Sequence, residues 1–264
     1  MTLTEVRQRL AELEIRPSKA LGQNFLIDGN ILDIIVEEAD VRSNETVIEV
    51  GPGLGALTAR LADRAGRLVA VEKDRRLAGY IREKFPEVEL IVGDAVKVEL
   101  PACDKVVANL PYNISTAILE RFVEGEPKPR RLVLTLQREV AVRLAATPRH
   151  KDYGALTLFT QLNYHVTVVH VVSAKCFFPA PTVESAVVAL DRREPRVKLL
   201  PGAPFHEIVR NGFNQRRKML RKLVTGAEAA LQAQGLSATV RGEELSLEQW
   251  ITLANALRPQ PGRD

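Results

Sequence analysis

Cysteine is scarce in this chain: Cys103 and Cys176 are the only two in 264 residues. Two thiols so far apart give neither a disulfide framework nor the paired spacing of a zinc site. They read as reduced packing residues of a cytoplasmic protein whose chemistry needs no metal. No apolar stretch reaches the ~20 residues of a membrane span, and residues 1–14 read as an amphipathic helix rather than a signal peptide. A strong charge excess is missing as well. The 37 basic residues against 33 acidic leave +4 and a pI near 9.1, compatible with a nucleic-acid partner but too mild to establish one. At 45% hydrophobic and 27% charged, the chain can bury one full core with room for a small second domain.

What the chain does carry is a series of short apolar runs, each ending in a polar or glycine signal. Thr46–Val50 leads into Gly51-Pro52-Gly53-Leu54-Gly55, after which Ala56, Leu57, Ala59, Arg60 and Leu61 fit a helix. Such a turn lets a ligand lie close to the backbone, because no side chain stands in the way. Residues 68–71 end in Glu72, about 20 residues beyond the glycines, the separation at which a carboxylate accepts from both hydroxyls of a ribose. Residues 88–92 end in Gly93-Asp94, an acidic group suited to an adenine amino group. The fourth run ends in Asn109-Leu110-Pro111-Tyr112-Asn113.

That last motif offers a neutral carbonyl acceptor, a proline kink and an aromatic face within four residues. The 6-amino group of adenine is a poor nucleophile because its lone pair is delocalised into the ring. Acceptors at the Asn109 side chain and the Leu110 main chain would favour a pyramidal nitrogen aimed at an incoming methyl group, with no strong base required. Read alone, Asn-Leu-Pro-Tyr is equally an ordinary strand-to-loop turn. The glycine turn also satisfies the dinucleotide pattern G-x-G-x-x-G/A, a weak match by itself. A nicotinamide cofactor leaves the fourth strand end unexplained. S-adenosylmethionine accounts for the set: Gly51 and Gly53 at its methionine part, Glu72 on the ribose, Asp94 at the adenine and Asn109 at the methyl, with Lys73 and Ala95 as further cofactor-binding candidates.

Six ordered blocks then carry a resemblance. They are Leu21-Gly22-Gln23-Asn24-Phe25-Leu26, the glycine turn, Asn109 to Ser115, Gln137-Arg138-Glu139-Val140-Ala141, Phe177-Phe178-Pro179-Ala180-Pro181-Thr182-Val183-Glu184-Ser185, and Asn214-Gln215-Arg216-Arg217-Lys218. Over nearly its whole length the chain resembles the KsgA-type ribosomal RNA adenine dimethyltransferases, departing at Glu184, where that family more often has Asp. The resemblance implies a class I methyltransferase fold of seven strands, one antiparallel, using S-adenosylmethionine and releasing S-adenosylhomocysteine. It implies that Gln23, Asn24 and the main chain at Leu26 cover the methyl donor, and that Phe177 stacks on the target adenine beside Tyr112 while Phe178 packs. It further implies a monomer that places two methyls on each of two adjacent adenosines in a hairpin loop of small-subunit rRNA, acting on the small subunit or its precursor. An Erm-type enzyme of large-subunit rRNA and a non-catalytic RNA-binding assembly factor are the alternatives.

Strand-like runs near 46–50, 68–71, 88–92, 105–109, 131–136, 165–172 and 185–190 alternate with helical patterns in the first half, which predicts an α/β, mostly parallel sheet. The last two runs would form an edge hairpin. Past Leu190 strand patterns cease, so residues 1–193 read as the catalytic domain and 194–264 as a small helical RNA-binding domain, with helices over 205–224, 226–235 and 246–257. On the first of these, five of the seven residues from Arg216 to Lys222 are basic. Arg216, Arg217, Lys218, Arg221 and Lys222 are expected to meet RNA phosphate, against the alternative of a solvated face. Arg16 and Lys19 are further candidates for the RNA backbone, with plain surface charge as the simpler reading.

Overall fold

In the computed structural model, which describes residues 1–18 and 22–259, the seven apolar runs form one sheet. Its strands are β2 (Thr46–Val50), β3 (Arg67–Glu72), β4 (Glu89–Val92), β5 (Lys105–Asn109), β6 (Arg131–Gln137), β7 (Tyr164–Val172) and β9 (Ser185–Arg192). Two short strands, β1 (Phe25–Leu26) and β8 (Phe177–Phe178), pair antiparallel with each other outside that sheet. The helices are α1 (Leu3–Glu12), α2 (Gly29–Ala39), α3 (Thr58–Ala62), α4 (Arg75–Lys84), α5 (Ser115–Glu124), α6 (Arg138–Leu144), α7 (Ala155–Asn163), α8 (Phe205–Phe213), α9 (Ala227–Ala233) and α10 (Leu247–Ala256). Sheet order is β4-β3-β2-β5-β6-β9-β7. Strands β2 to β6 pair parallel, and β9 enters antiparallel beside β6. This is the seven-stranded class I methyltransferase arrangement, with β7 and β9 as the expected edge pair. Among the described residues no helix is long and apolar enough to cross a membrane.

The central parallel strands β2, β5 and β6 are buried on both faces, which is why they read as continuous apolar runs rather than alternating ones, while the edge strand β4 is partly exposed. Helix α2 covers one face with Ile31, Leu32, Ile35, Val36 and Ala39, a 3.6-residue stripe packed on Val47, Val107, Val133 and Val187. Its start is fixed by Asp28, whose carboxylate accepts from Asn30 N and Ile31 N, and it stops where Asp40 turns left-handed at φ 45°. Register brings Val50 beside Val71, Glu72 beside Val92 and Asn109 beside Thr135, so the carboxyl ends of these strands lie level. At the opposite ends, buried Lys105 pairs with Glu45 at 2.9 Å and donates to Asp40 O, while Arg130 also bonds Glu45.

The chain divides into two compact units. The first comprises Met1–Ala141 and Val166–Arg192; the second takes Val142–His165 as well as the chain from Arg193 onward. The second unit therefore differs from the expected 194–264. Its core explains why: Tyr153, Leu158, Phe159 and Leu162 are buried together with Phe205, Leu231 and the fully buried Trp250. Trp250 donates its indole N–H to Gly242 O at 3.2 Å and packs against Gly212, where any Cβ would stand 2.5 Å from the indole. The expected helix over 205–224 ends at Phe213. Beyond it the chain turns so that Leu220 can donate to Val240 O and bury its side chain against Gly212, leaving only a short 3-10 turn at Leu220–Lys222. α9 and α10 fall within their expected spans, α10 starting at a Ser246–Gln249 capping box.

Candidate active site

A cleft with about 1070 Å³ of empty space opens at the carboxyl ends of β2, β3, β4 and β5. Gln23, Asn24, Leu26, Gly51, Gly53, Glu72, Lys73, Asp94, Ala95, Asn109, Leu110 and Pro111 all line it, together with Met1 and Val6 from the N-terminal segment. The β2–α3 turn can pass this close to a ligand because Gly51, Gly53 and Gly55 hold φ of 71°, 57° and 79°, a region that side-chain-bearing residues rarely enter. A Cβ on Gly53 would also come within 3.2 Å of the Phe25 ring.

Glu72 ends β3 with 7% of its surface exposed. Its carboxylate accepts from Gly53 N at 3.2 Å and Asp74 N at 2.9 Å, which ties the glycine turn to the second strand end. Burial raises its pKa, and the backbone donors of Asp74, Gly53 and Lys73 pull it back. Asp94 accepts from Lys73 Nζ at 3.0 Å and Val96 N at 3.0 Å, and the Lys73 bond holds its carboxyl below the ordinary range. Asn109 donates Nδ2 to Asn24 O at 3.0 Å, so the amide is oriented with its carbonyl oxygen as the remaining acceptor. Asn24 Nδ2 in turn donates to Gly22 O, and Gln23 Oε1 accepts from Ser18 N.

Glu49 is the cleft residue that motif reading passed over. It lies two positions before Gly51, is 1% exposed, and its Oε2 has no hydrogen-bond partner among the described residues. Burial, reinforced by the negative charge of Glu72, pushes its pKa up to about 8. A buried carboxyl held by Thr58, with one oxygen unpartnered among the described residues beside a glycine cradle, suits a ligand with a positive end and a narrow body. S-adenosylmethionine, with its ammonium and sulfonium, fits that donor and acceptor set.

Two expected residues stand outside the cleft lining. Tyr112 is half-buried, its hydroxyl hydrogen-bonded to Ser185 Oγ. Phe177 corrects the expectation for the aromatic pair: it is 3% exposed and belongs to the core with Leu26, Ile31 and Val172. Phe178 is the less buried ring, and the Arg7 guanidinium sits 5.2 Å over it. Pairing of Leu26 with Phe177 turns that side chain inward, and strand alternation then turns its neighbour outward. Nothing in a Phe-Phe dipeptide says which ring faces in.

The basic segment is also re-sorted. Arg216 bonds Glu243 at 2.7 Å and donates to Lys151 O, and Arg221 pairs with Glu228 at 3.0 Å. Arg217, Lys218 and Lys222 instead line an open groove in the second unit with Arg149 and Arg241, two cations from distant sequence that no local pattern could have grouped, and with Glu243 and Glu244. Arg210, on α8, lies over the Phe159 ring at 5.6 Å. Lys19 falls outside the described residues.

Comparison with known proteins agrees with this geometry. The family model described as ribosomal RNA adenine dimethylase matches residues 15–258. Ribosomal RNA small subunit methyltransferase A of Geobacter metallireducens is 42% identical, covering 94% of this chain and 98% of its own. The protein of the same name from Clostridium acetobutylicum is 39% identical, covering 95% and 97%. Among solved structures, a dimethyladenosine transferase from Plasmodium falciparum superposes with TM-score 0.77 at 24% identity, over 87% of this chain and 95% of that one. The 23S rRNA methyltransferase ErmE superposes with TM-score 0.67 at 32% identity, over 89% and 99%. With the family model spanning almost the whole chain and the strand-end residues gathered in one cleft, this protein belongs to the ribosomal RNA adenine dimethylase family, enzymes that methylate with S-adenosylmethionine.

Proposed function

We propose that this enzyme acts on the small ribosomal subunit or its precursor, placing two methyl groups on the 6-amino nitrogen of each of two adjacent adenosines in an rRNA hairpin loop. The observation that carries the chemistry is Asn109, oriented by Asn24 O in the same cleft as Glu72 and Asp94. Preference for the small subunit over an Erm-type target follows the identities, 42% and 39% to small-subunit enzymes against 32% to ErmE. A protein of this kind works in the cytoplasm, as a monomer.

In this reading Gln23, Asn24 and Leu26 cover the methyl donor, Gly51 and Gly53 give it backbone access, Glu72 with Lys73 takes its ribose, and Asp94 with Ala95 its adenine. The bound donor supplies an electrophilic methyl on positively charged sulfur, so the protein contributes position and electrostatics. The Asn109 carbonyl oxygen and the Leu110 main-chain oxygen accept the amine hydrogens of an extruded adenine and aim its lone pair. Pro111 fixes that turn. Tyr112 offers a ring edge or face to the base, and its bond to Ser185 sets the ring's angle. The nitrogen sheds its proton to water after transfer, and a remaining hydrogen permits a second cycle. Phe177 can stack on the base only if β1 moves off it; Phe178 is the ring nearer solvent. Arg217, Lys218 and Lys222 hold phosphate, joined by Arg149 and Arg241; Arg216 and Arg221 act through the framework of the second unit.

The test is incubation with labelled S-adenosylmethionine and undermethylated small and large ribosomal particles, followed by mapping of the label. Dimethyladenosine at adjacent positions of the small-subunit RNA is the expected product. Label confined to the large particle would return the Erm-type reading, and no label on either would favour a non-catalytic assembly factor.

A further inference from the structure

The Asp94 loop has no strand to hold it. Beyond β4 it makes a single turn in which Lys97 N and Val98 N donate to Asp94 O, and Val96 N donates to the Asp94 side chain. One turn leaves its last carbonyls without intrahelical donors. Arg121, in the last turn of α5, supplies them: its two terminal nitrogens donate to Ala95 O and Val98 O, each at 2.5 Å. The guanidinium makes no ion pair among the described residues, so its charge is directed at these neutral carbonyls. Such charge-assisted bonds are the strong ones, and a planar fork fixes two acceptors at once. Val98 is folded back onto Gly93, where a Cβ would stand 2.4 Å from its methyl, and Ala95 is 4% exposed in the cleft wall.

The same helix begins immediately after the Asn109–Asn113 turn, and Ser115 Oγ at its first position donates to Tyr112 O. We propose that Arg121 is a positioning residue for the methyl donor: by clasping Ala95 and Val98 it fixes Asp94 and Ala95. The role is indirect, since Arg121 is not part of the cleft lining. It rests on the reading of Asp94 and Ala95 as the adenine side of the donor site.

Calorimetric titration of the full chain with S-adenosylhomocysteine tests it, comparing Arg121→Gln, Arg121→Lys and Asp94→Ala. Arg121→Gln is expected to weaken binding about tenfold, through loss of the charged donor pair. Arg121→Lys, which can hold one carbonyl but not both, should recover part of the loss. In steady state the KM for S-adenosylmethionine rises in Arg121→Gln, while kcat at saturating donor stays within about twofold. A purely structural role would lower Tm without this split. If Arg121→Gln fails to fold, Arg121→Lys carries the same comparison. Unchanged affinity in the folded Arg121 variant beside weakened binding in Asp94→Ala overturns the clasp and leaves the cleft reading intact. Unchanged affinity in both overturns the cleft reading and the clasp with it.

Discussion

The two ends of strands β2 and β5 hold acidic groups in opposite states. At the amino ends Glu45 is buried, yet Lys105, the Arg42 N–H and Arg130 outweigh that burial and hold its pKa below the usual carboxylate range. Four residues further along the chain, within β2, Glu49 is buried next to Glu72 with no ion pair among the described residues, and its pKa is pushed up to about 8. Both ends spend desolvation energy, but only one recovers it within the protein. The completed pair holds strands together, and the incomplete one marks where a ligand must bring the missing charge.

The largest effect should come from breaking the completed end. Lys105→Met leaves Glu45 with Arg130 and the Arg42 N–H, a cost of about 3–5 kcal/mol for removing one member of a buried pair. Urea denaturation would register the loss, while S-adenosylhomocysteine affinity of the folded variant should be unchanged. A fall in affinity would show that the two ends are not independent. Next is Asn109→Ala at the open end, expected to slow single-turnover methylation by about 3 kcal/mol in the barrier, with the cofactor still bound because Glu72 and Asp94 remain. Near-normal turnover would remove Asn109 from the chemistry.

Glu72→Ala sharpens the contrast further. It should weaken S-adenosylmethionine and S-adenosylhomocysteine alike by about 2 kcal/mol, the scale of a missing charge-assisted hydrogen-bond acceptor. Tyr112→Ala should spare that affinity and slow transfer. The same distinction between paired and open charge sorts the second unit, with a smaller effect. Changing Arg217 and Lys222 to Gln should flatten the salt dependence of small-particle binding by roughly 0.7 to 0.9 in log-log slope for each phosphate no longer neutralised. Arg216→Gln should instead lower stability, because that side chain is spent on Glu243 and Lys151 O.

Strand ends were readable because a parallel sheet writes them as apolar runs with abrupt polar stops. Thus Glu72, Asp94 and Asn109 could be picked out at the ends of apolar runs, whereas the order of the strands was not legible beyond one antiparallel member and an edge hairpin. Facing was not readable where two residues of one type are adjacent, as with Phe177 and Phe178, since pairing with β1 decides it. Helical period misled at Phe213, because Leu220 and Val224 keep an apolar spacing on either side of a turn that tertiary packing imposes. Arg121 and Glu49 carried no motif of their own. Arg121 stands out by the carbonyls it meets, and Glu49 by one carboxylate oxygen without a partner among the described residues.

Glu49 also gives the central claim its most direct test. Because its folded-state pKa of about 8 lies above the ordinary 4.5, its contribution favours the folded protein at low pH and is lost as pH rises from 4.5 through about 8. A cationic ligand should reverse that shift, so binding near neutral pH must expel a proton. Calorimetry of S-adenosylmethionine binding at about pH 7, in buffers of different ionisation enthalpy, reads that proton directly. The account predicts net proton release by the wild-type chain and its disappearance in Glu49→Gln. Binding with no proton release, or the same release in both proteins, would contradict the claim that this end of the sheet is left unpaired for the cofactor.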